Sequence, residues 1–360
     1  MAAVQDVHGS RRVNSVLRIR EELEQAFQRA AAGAARSIAV LLPCHNEEAT
    51  IAEVIDGFRR SLPGADIYVY DNNSTDRTAE VAKAAGAVVR FEPYQGKGNV
   101  VRRMFADIDA DIYVLADGDL TYDASAAGRL VDALIERNAD MVVGVRVSTA
   151  EAAYRPGHRA GNRFFNQLVA RLFGHGFTDI LSGYRVMSRR FAKSFPAASS
   201  GFEIETELSV HALDLKLVTV EIPLVYGERP ENSKSKLRTY RDGLRILATI
   251  IMMYRALKPL QFYGSIALAL MALSVLLGMP VLIEYAHTGL VPRMPTALLA
   301  AAIMQLGFLS LACGIITDAV SANRRELKRM QYLQLSAPAH MRPSQPSDEP
   351  GETSENRRAG

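Results

Sequence analysis

Short runs of β-branched and aromatic residues alternate with helical patterns in the first half of the chain. Residues 77–85 follow Ser74, a candidate N-cap, and residues 124–137 place their apolar side chains on one helical face. Strands that alternate with helices are typical of a largely parallel sheet covered by helices, so the pattern predicts an α/β fold. The predicted strands are residues 38–42, 67–70, 88–91, 112–115 and 141–145.

Two long segments near the end of the chain carry no charge. No Asp, Glu, Lys or Arg occurs between Lys258 and Glu284, or between Arg293 and Asp318. Each segment exceeds the roughly 20 residues that a helix needs to cross about 30 Å of hydrocarbon. We therefore predict two membrane-spanning helices, and a hairpin buried in a soluble protein is the alternative. The predicted boundaries are a first span at 259–283, a loop at 284–295 and a second span at 296–318.

Basic residues flank the predicted spans, whereas the loop between them carries only Arg293. Excess Lys and Arg marks the cytoplasmic side, so we predict an inner-membrane protein with both termini in the cytosol. Before the first span, residues 240–258 carry Leu244, Leu247 and Ile251 at helical spacing with arginines between them. This pattern is typical of an interfacial helix, and equally of a helix that packs on a core. The flanking residues are Arg241, Arg245, Arg255, Lys258, Arg324, Arg325, Lys328 and Arg329.

The two ends of the chain look peripheral. Residues 1–36 contain an Ala- and Glu-rich helical stretch at 13–32 and no pattern of a secretory signal. Residues 319–360 are first basic and then, from 336 onward, rich in Pro, Ser and Glu, which favours disorder. A cytosolic globular domain is therefore expected at 37–239.

Composition excludes several classes of protein. The 360 residues are 48% apolar and 22% charged, which is typical of a globular chain and not of a disordered or fibrous one. Forty-two Lys and Arg against 39 Asp and Glu give a net charge of +3, too near balance for nucleic-acid binding across the whole surface. Two cysteines, Cys44 and Cys313, indicate neither a disulfide framework nor a zinc site, and favour a reducing compartment.

Polar residues follow three of the predicted strands. The first strand runs into Pro43-Cys-His-Asn-Glu-Glu, the second into Asp71-Asn-Asn-Ser-Thr-Asp and the fourth into Ala116-Asp-Gly-Asp-Leu. Ligands of open α/β sheets bind at the carboxyl ends of the strands. No G-x-G-x-x-G follows the first strand, and this motif is the main sequence signal of a dinucleotide-dependent dehydrogenase. The sequence therefore does not favour that class of enzyme. Carboxylates at this edge indicate instead a nucleotide whose phosphates are held through a metal.

Asp117 and Asp119 lie two residues apart, with Gly118 between them, where a strand turns into a loop. Both carboxylates can therefore reach one side of the turn. Mg²⁺ is usually held by one or two carboxylates, waters and substrate phosphate oxygens, and Mn²⁺ suits the same ligands. Taken alone, the pattern favours an Asp-rich turn whose side chains cap backbone amides.

Seven short motifs occur in order along the chain, and together they favour a metal site over a simple capping turn. They are Pro43-x-x-Asn46-Glu47, Asp71-x-x-Ser74-x-Asp76-x-Thr78, Gly96-Lys97-Gly98, Asp117-Gly-Asp119, Gly144-Val-Arg146, Ser182-Gly-Tyr-Arg185, and Arg229 followed by Ser235-Lys236. Over about residues 37–330 the chain resembles family 2 glycosyltransferases of the GT-A fold. The resemblance is to the members that charge a polyprenyl phosphate with one sugar, such as dolichyl-phosphate mannose synthases and bacterial undecaprenyl-phosphate glucosyltransferases.

The resemblance implies roles by position. The catalytic residues would be Asp117 and Asp119, and the metal ligands Asp117, Asp119 and Thr121. The nucleotide-sugar site would comprise Pro43, His45, Glu47, Asp71, Lys97 and Asp117. Three positions depart from the family pattern: His45 stands where some members have Tyr, Asn72 where a second Asp is common, and Thr121 where Gln often helps to hold the metal.

The same resemblance implies hosts for an acceptor phosphate, although a solvated surface charge is the alternative for any single arginine. These hosts are Arg146, Arg159, Asn162, Arg229 and Lys236, with Lys234 as the alternative to Lys236. A polyprenyl phosphate is anionic near neutral pH, so its oxygen can attack without a strong general base. Direct displacement would invert the anomeric configuration.

Other polar residues receive structural interpretations. Those predicted to be structural are Arg185, Arg189 and Arg190, and those predicted to pack or to form turns are Asp179 and His211. Glu203, Glu205 and Glu207 are left between a contact with the sugar and an ordinary helix-start charge pattern.

The leading hypothesis is a membrane-anchored inverting transferase, dependent on Mg²⁺ or Mn²⁺. It would move one sugar from a UDP- or GDP-linked donor to a polyprenyl phosphate, for a cell-envelope glycan or glycolipid. A polysaccharide-extending synthase is less favoured because the chain has no Trp for a Gln-x-x-Arg-Trp acceptor motif. A catalytically silent scaffold that binds nucleotide sugars is the alternative from another class. The sequence does not decide the sugar, the base or the prenyl length, and it leaves a homo-oligomer open.

Overall fold

The computed structural model describes residues 36–147, 158–174, 176–227 and 239–338. Several predictions lie outside these ranges: the N-terminal helix at 13–32 and most of the Pro-rich tail. The same holds for Arg229, Lys234 and Lys236, and for the side chain of Arg159.

A seven-stranded mixed sheet forms the centre of the protein, in the order β3-β2-β1-β4-β6-β5-β7. Strand β6 runs antiparallel to β4 and β5, and the other neighbouring strands are parallel. The predicted α/β class is therefore confirmed. The sequence pattern predicts β1 to β5 but not β6 or β7. The strands are β1 Ile38–Cys44, β2 Asp66–Asp71, β3 Val88–Phe91, β4 Ile112–Leu115, β5 Met141–Val147, β6 Arg185–Ser188 and β7 Thr219–Val225.

Helices cover both faces of the sheet, and further helices form the C-terminal part of the chain. Ser74 is not the N-cap of the helix that follows it, because that helix begins after Arg77; the Ser74 hydroxyl instead accepts a hydrogen bond from the Asn46 N–H at 2.9 Å. The helices are α1 Ile51–Ser61, α2 Thr78–Ala84, α3 Lys97–Asp107, α4 Ala127–Glu136, α5 His158–Phe173, α6 Arg189–Ser194, α7 Ile204–Leu215, α8 Thr239–Leu257, α9 Pro259–Thr288 and α10 Met294–Leu333.

Two apolar layers sandwich the sheet. Successive side chains of a strand point to opposite faces, so Val40 and Leu42 of β1 join the layer under α1 and α4, whereas Ala39 and Leu41 join the layer under α3, α6 and α7. The register aligns Cys44 with Asp71 across β1 and β2. Because β1, β2 and β4 are parallel, the polar segments after them emerge at one edge.

Helices α9 and α10 are long and apolar enough to cross a membrane, with mean hydropathies of 2.6 and 2.1 over their most apolar windows. Only 17% of each window is buried, unlike the core of a soluble protein, so the alternative of a buried hairpin is not supported. The buried positions recur every seven residues, which is the spacing of a left-handed helix pair. Apart from Pro259 at the first position of α9, they are Ala267, Ser274 and Val281 in α9, and Ala300, Gly307, Gly314 and Ser321 in α10.

Helix α8 has two different faces. Ile246 and Ile250 are buried against Val169 of α5, so packing on a core is one of its roles. Leu244 and Met252 remain exposed. That exposed apolar side is available for the membrane interface, which stays a prediction.

His211 of α7 lies in an aromatic environment between Phe191 and Phe195, each with its ring centroid 5.3 Å from the imidazole. Its Nε2 lies 3.3 Å from the Ser194 hydroxyl, and its Nδ1 is buried without a partner. Burial, aided by the charge of Lys328, lowers the pKa of His211 to about 3. The imidazole is therefore neutral in the folded protein.

We expect this histidine to make stability depend on pH. Below about pH 6.5 the unfolded chain binds a proton that the folded chain does not, so the free energy of unfolding falls by about 1.4 kcal/mol per pH unit, down toward pH 3. His211→Leu should reduce the slope of the melting temperature between pH 6.5 and 4.5, measured in detergent. Equal slopes for the variant and the parent protein would contradict this assignment.

Candidate active site

The loops after β1 and β2 are locked together at the carboxyl edge of the sheet. Asn46 adopts a left-handed backbone conformation with φ of 54°. Its side-chain oxygen accepts a hydrogen bond from the Thr75 N–H at 2.7 Å, while the Glu47 N–H donates to the Thr78 hydroxyl at 2.8 Å. The motif residues of the two loops therefore build one rigid rim.

Asp71 lies at the end of β2 with its side chain facing this rim. It is 7% exposed, and its Oδ2 accepts a weak hydrogen bond from the Ser74 N–H at 3.4 Å. Its Oδ1 is buried without a partner. A buried carboxylate oxygen without a donor is costly unless a ligand supplies one. This geometry suits the predicted contact between Asp71 and an N–H of a nucleobase.

Asn72 has a structural task. Its amide donates to the carbonyls of Glu92 and Tyr94, both at 2.9 Å, and its oxygen accepts from the Gly96 N–H at 2.7 Å. An aspartate could not donate either of the first two bonds. The departure from the family pattern at this position therefore fastens the segment before α3.

His45 is held by neighbours on both sides of its ring. Its Nδ1 lies 2.9 Å from the Asn72 carbonyl, and its Nε2 lies 3.2 Å from the side-chain nitrogen of Gln95. A carbonyl can only accept, so Nδ1 carries the proton in this arrangement. The ring is thus held in one orientation, between the loop after β2 and the segment before α3.

A buried ion cluster lies beside the Asp-Gly-Asp turn. The Lys97 ammonium forms ion pairs with Asp117 and with Glu205 of α7, the latter at 2.5 Å. The side chains of Lys97 and Glu205 are 7% and 6% exposed, whereas that of Asp117 is 29% exposed. Burial alone would lower the pKa of Lys97, but the two carboxylates raise it above its usual value. Lys97 is therefore charged, and Asp117 is the most exposed member of the cluster.

The burial of Glu205 and the lack of a side chain at Gly183 both affect this cluster. Burial raises the pKa of Glu205, against the opposing effect of Lys97. A Cβ on Gly183 would lie 2.9 Å from Asp117 Oδ2 and 3.0 Å from Lys97 Nζ, so a side chain at this position would displace the ion pair. The Gly96-Lys97-Gly98 motif also needs glycine at its last position, because a Cβ on Gly98 would lie 2.2 Å from the carbonyl oxygen of Ser199.

Asp119 is buried and oriented by its own turn. Its Oδ1 accepts hydrogen bonds from the N–H and the hydroxyl of Thr121, at 3.1 and 2.5 Å. The Thr50 hydroxyl donates to the Gly118 carbonyl at 2.7 Å and fastens the turn to the start of α1. Thr121 thus positions Asp119, and its predicted role as a metal ligand stays a prediction.

The residues present fit a divalent cation that is shared with a substrate. Among the described residues, no group of three or more His, Cys, Asp and Glu side chains could hold a metal ion. Asp117 and Asp119 offer hard oxygen ligands on one turn. One or two protein carboxylates are enough to bind Mg²⁺ when substrate phosphate oxygens and waters supply its remaining ligands.

A second cluster includes two of the predicted acceptor residues. The Arg146 guanidinium donates two bonds to Asp179, both at 2.7 Å, and lies 5.6 Å from the centre of the Tyr226 ring. The Asn162 amide lies 3.4 Å from the same carboxylate. Burial would raise the pKa of Asp179, but the hydrogen bonds from Arg146 lower it. Asp179 is therefore an ion-pair partner, and its interpretation as a mere turn or packing residue is too simple.

Arg185 is structural, as predicted. It is fully buried and donates to the carbonyls of Ser182 and Ile180 and to the Ser209 hydroxyl, at 2.9, 2.8 and 3.0 Å. Glu207 also has a structural role, because its carboxylate accepts the N–H groups of Ala198 and Ser199. The pairing of Glu205 with Lys97 was not predicted, because the only signal in the sequence is an acidic residue in the first turn of a helix.

Comparisons with known proteins agree with this geometry. The family model described as glycosyl transferase family 2 matches residues 39–195, which include β1 to β6 and the Asp-Gly-Asp turn. Glycosyltransferase AglJ of Haloferax volcanii is 34% identical over 305 residues, covering 83% of this chain and 98% of that protein. The dolichyl-phosphate hexose transferase of the same organism is 28% identical, covering 59% of this chain and 92% of that protein.

Among solved structures, the chain resembles glucosyl-3-phosphoglycerate synthase from Mycobacterium tuberculosis in complex with Mn²⁺, UDP-glucose and phosphoglyceric acid. The TM-score is 0.52 at 27% identity, covering 62% of this chain and 82% of that one. The family match thus runs through the strand-end motifs, and the match to AglJ spans nearly that whole relative. The chain is therefore a glycosyltransferase and belongs to glycosyltransferase family 2, with a GT-A-like fold.

Proposed function

We propose that this protein moves one sugar from a nucleoside-diphosphate sugar to a polyprenyl phosphate, with inversion at the anomeric carbon, at the cytoplasmic leaflet of the inner membrane. The observation that carries the proposal is the union of two features in one chain. An Asp-Gly-Asp turn lies at the ligand edge of the sheet, and two helices long and apolar enough to cross a membrane follow the domain.

The acceptor class is supported by the relatives and by the C-terminal helices. One relative is named a dolichyl-phosphate hexose transferase and another, from Pyrococcus furiosus, a dolichol-phosphate mannosyltransferase. A soluble acceptor would not require membrane-spanning helices. By the positive-inside rule, the basic flanks of α9 and α10 support a cytosolic catalytic domain and cytosolic termini.

The donor site is assigned to the rim between β1, β2 and β4. Pro43, His45 and Glu47 would line the nucleotide, and Asp71 would accept an N–H of the base through its buried Oδ1. Uracil and guanine both offer such a donor, so this contact does not select between them. The similar synthase binds UDP-glucose with Mn²⁺, which supports a nucleotide sugar and a divalent cation here.

Asp117 and Asp119 are assigned to hold Mg²⁺ or Mn²⁺. When bound, the ion would offset the negative charge that builds on the departing diphosphate. Lys97 would add a second, permanent positive charge beside Asp117. Asp119, oriented by Thr121, would keep its carboxylate fixed while the bond to the sugar breaks.

The acceptor phosphate is assigned to the cluster around Arg146. Arg146 is fixed by the two bonds from its guanidinium to Asp179, and Asn162 lies on the same carboxylate. Arg159, Arg229 and Lys236 are further candidates by resemblance. An anionic phosphate oxygen attacks without loss of a proton, so no residue is assigned as a general base.

A screen of radiolabelled UDP- and GDP-sugars against membranes that contain the protein tests the proposal. We expect label in the lipid extract as a single-sugar polyprenyl phosphate, only with Mg²⁺ or Mn²⁺ and with the inverted anomer by NMR. Label in a polymer would indicate the synthase alternative. Donor binding without turnover under any metal would indicate the scaffold, and transfer only to phosphoglyceric acid would contradict the lipid acceptor.

Asp179 is expected to position Arg146 for the acceptor. Asp179→Asn keeps the shape of the side chain but removes the charge that holds the guanidinium, so we expect KM for undecaprenyl phosphate to rise about tenfold while KM for the donor changes less than twofold. A tenfold change corresponds to about 1.4 kcal/mol, near the lower end of what one hydrogen bond to a charged group contributes. Asp109→Asn is the matched control, since Asp109 forms a similar two-bond pair with Arg189 on the exposed surface. An equal rise in both KM values would contradict the positioning role.

A further inference from the structure

Helix α10 is longer than a bilayer requires. Its 40 residues extend roughly 60 Å at about 1.5 Å per residue, whereas a membrane-spanning helix needs about 20 residues. Charges begin at Asp318, so residues 318–333 form a helical extension beyond the apolar part. We call this segment the α10 extension.

The tip of the α10 extension binds a buried carboxylate of the catalytic domain. The Tyr332 hydroxyl lies 3.2 and 3.1 Å from the two oxygens of Asp140, which immediately precedes β5. Arg190 of α6 forms an ion pair with Asp140, and its guanidinium lies 4.7 Å from the centre of the Tyr332 ring. Asp140 is almost fully buried, so this contact is desolvated and worth more than a surface pair.

A second contact lies about one helical turn earlier. Lys328 lies 3.4 Å and Arg325 4.0 Å from the carboxylate of Asp214, whose side chain is 5% exposed. Lys328 and Tyr332 are four residues apart, so they lie on the same face of the helix. The α10 extension therefore docks along one face at two separate points.

The docked helix reaches the active site through α7. Asp214 is near the end of α7, and Glu205, which pairs with Lys97, is in its first turn. The 12 residues of α7 span roughly 18 Å. Ser321 at the start of the extension also donates to the Ala256 carbonyl of α8 at 2.7 Å. One continuous helix thus links the apolar hairpin to α6, α7 and α8.

We propose that the α10 extension is a positioning strut, which holds the catalytic domain in one orientation relative to the membrane so that the acceptor site meets a phosphate at the bilayer surface. The inference rests on the proposed function, because it assumes that α9 and α10 cross the membrane and that the acceptor is lipid-bound. Lys328 and Tyr332 are positioning residues and touch no substrate.

The test compares one acceptor in a bilayer with one that needs no alignment to a bilayer. The variants are Lys328→Glu, which turns the attraction to Asp214 into repulsion, the charge swap Lys328→Glu with Asp214→Lys, and Tyr332→Phe. Arg329→Glu is the matched control, since Arg329 is the next residue and is exposed. Each full-length protein is assayed with undecaprenyl phosphate in phosphatidylethanolamine and phosphatidylglycerol vesicles, and with geranyl phosphate in detergent.

In vesicles we expect Lys328→Glu to lose at least fivefold in rate and Tyr332→Phe at least twofold. Both should stay within twofold of the parent protein with geranyl phosphate, and Arg329→Glu should match the parent in both assays. The charge swap should recover part of the loss, because Arg325 still faces position 214. Equal rates for Lys328→Glu and parent in vesicles, or an equal loss in both assays, would overturn the strut.

A direct measurement of orientation keeps the strut distinct from the function. Cys313 of α10 is exposed and Cys44 is buried, so a spin label on Cys313 and a second on Asp56→Cys in α1 report one distance. We expect Lys328→Glu to broaden the distance distribution in vesicles, and an unchanged distribution would overturn the strut. A parent protein that glycosylates neither prenyl phosphate would instead refute the proposed function, whatever the distance shows.

Discussion

Asp119→Asn is expected to lower metal-dependent sugar transfer by about 10²–10³-fold while the protein still folds. Asn keeps an oxygen that can accept from Thr121, so the turn after β4 should persist. The variant lacks the negative charge that a divalent cation requires, and loss of one electrostatic stabiliser of a departing anion commonly costs this much. The measurement is the rate of lipid-linked sugar formation in membranes with saturating Mn²⁺.

Asp123→Asn is the matched control for this change. Asp123 follows in the same segment, but its carboxylate caps the Ser125 N–H at 2.8 Å and takes no part in the cluster around Lys97. We expect it to keep activity within twofold. Binding of Mn²⁺ in the presence of UDP, followed by electron paramagnetic resonance, should weaken for Asp119→Asn only. Product formed by Asp119→Asn at the parent rate would defeat the assignment of Asp119.

The strands that carry the site could be predicted because their signals are local. Strands β1, β2 and β4 are apolar runs followed at once by polar residues, and a parallel sheet brings such ends to one edge. This rule placed Asp71, Asp117 and Asp119 at the ligand edge, and their functional roles were predicted only from the resemblance to family 2. The resemblance to family 2 then added His45, whose Nδ1 lies 2.9 Å from the carbonyl of Asn72, the residue after Asp71.

The missing parts depend on contacts that no local pattern encodes. Strand β6 has only four residues and includes Arg185, whose burial is tolerable because the nearby carbonyls of Ile180 and Ser182 and the distant Ser209 hydroxyl of α7 accept its donors. Asp179 lies 33 residues from Arg146 in the chain, so its ion pair appears only after folding. The acidic pattern of residues 203–207 was ambiguous for the same reason, since Glu205 finds its partner on α3.

The C-terminal part shows a similar division. Length and the absence of charge were enough to predict two helices of membrane-spanning size, because a bilayer constrains composition more strongly than a soluble core does. The basic residues after the second segment were interpreted as a topology signal. In the structure, Lys328 and Arg325 also lie against Asp214. The same basic residues therefore take part in a tertiary contact, which the sequence alone could not show.

Lys97→Met should have the largest effect on stability. The substitution leaves Asp117 and the buried Glu205 side by side without their shared cation, and removing one partner of a buried ion pair typically costs about 3–5 kcal/mol. We expect a clear fall in melting temperature in detergent, together with loss of sugar transfer. Lys193→Met is the matched control. Among the described residues, the Lys193 ammonium donates hydrogen bonds only to the carbonyls of Phe105 and Ile108.

A second substitution separates the two roles of Lys97. Lys97→Met combined with Glu205→Gln removes one of the stranded charges, so most of the lost stability should return. If Lys97 also acts on the donor diphosphate, transfer stays at least tenfold below that of Glu205→Gln alone, because no cation faces the departing phosphate from this side. Recovery of both stability and transfer would show that Lys97 only neutralises its neighbours. A Lys97→Met protein as stable as the parent would show that the cluster does not hold the site together.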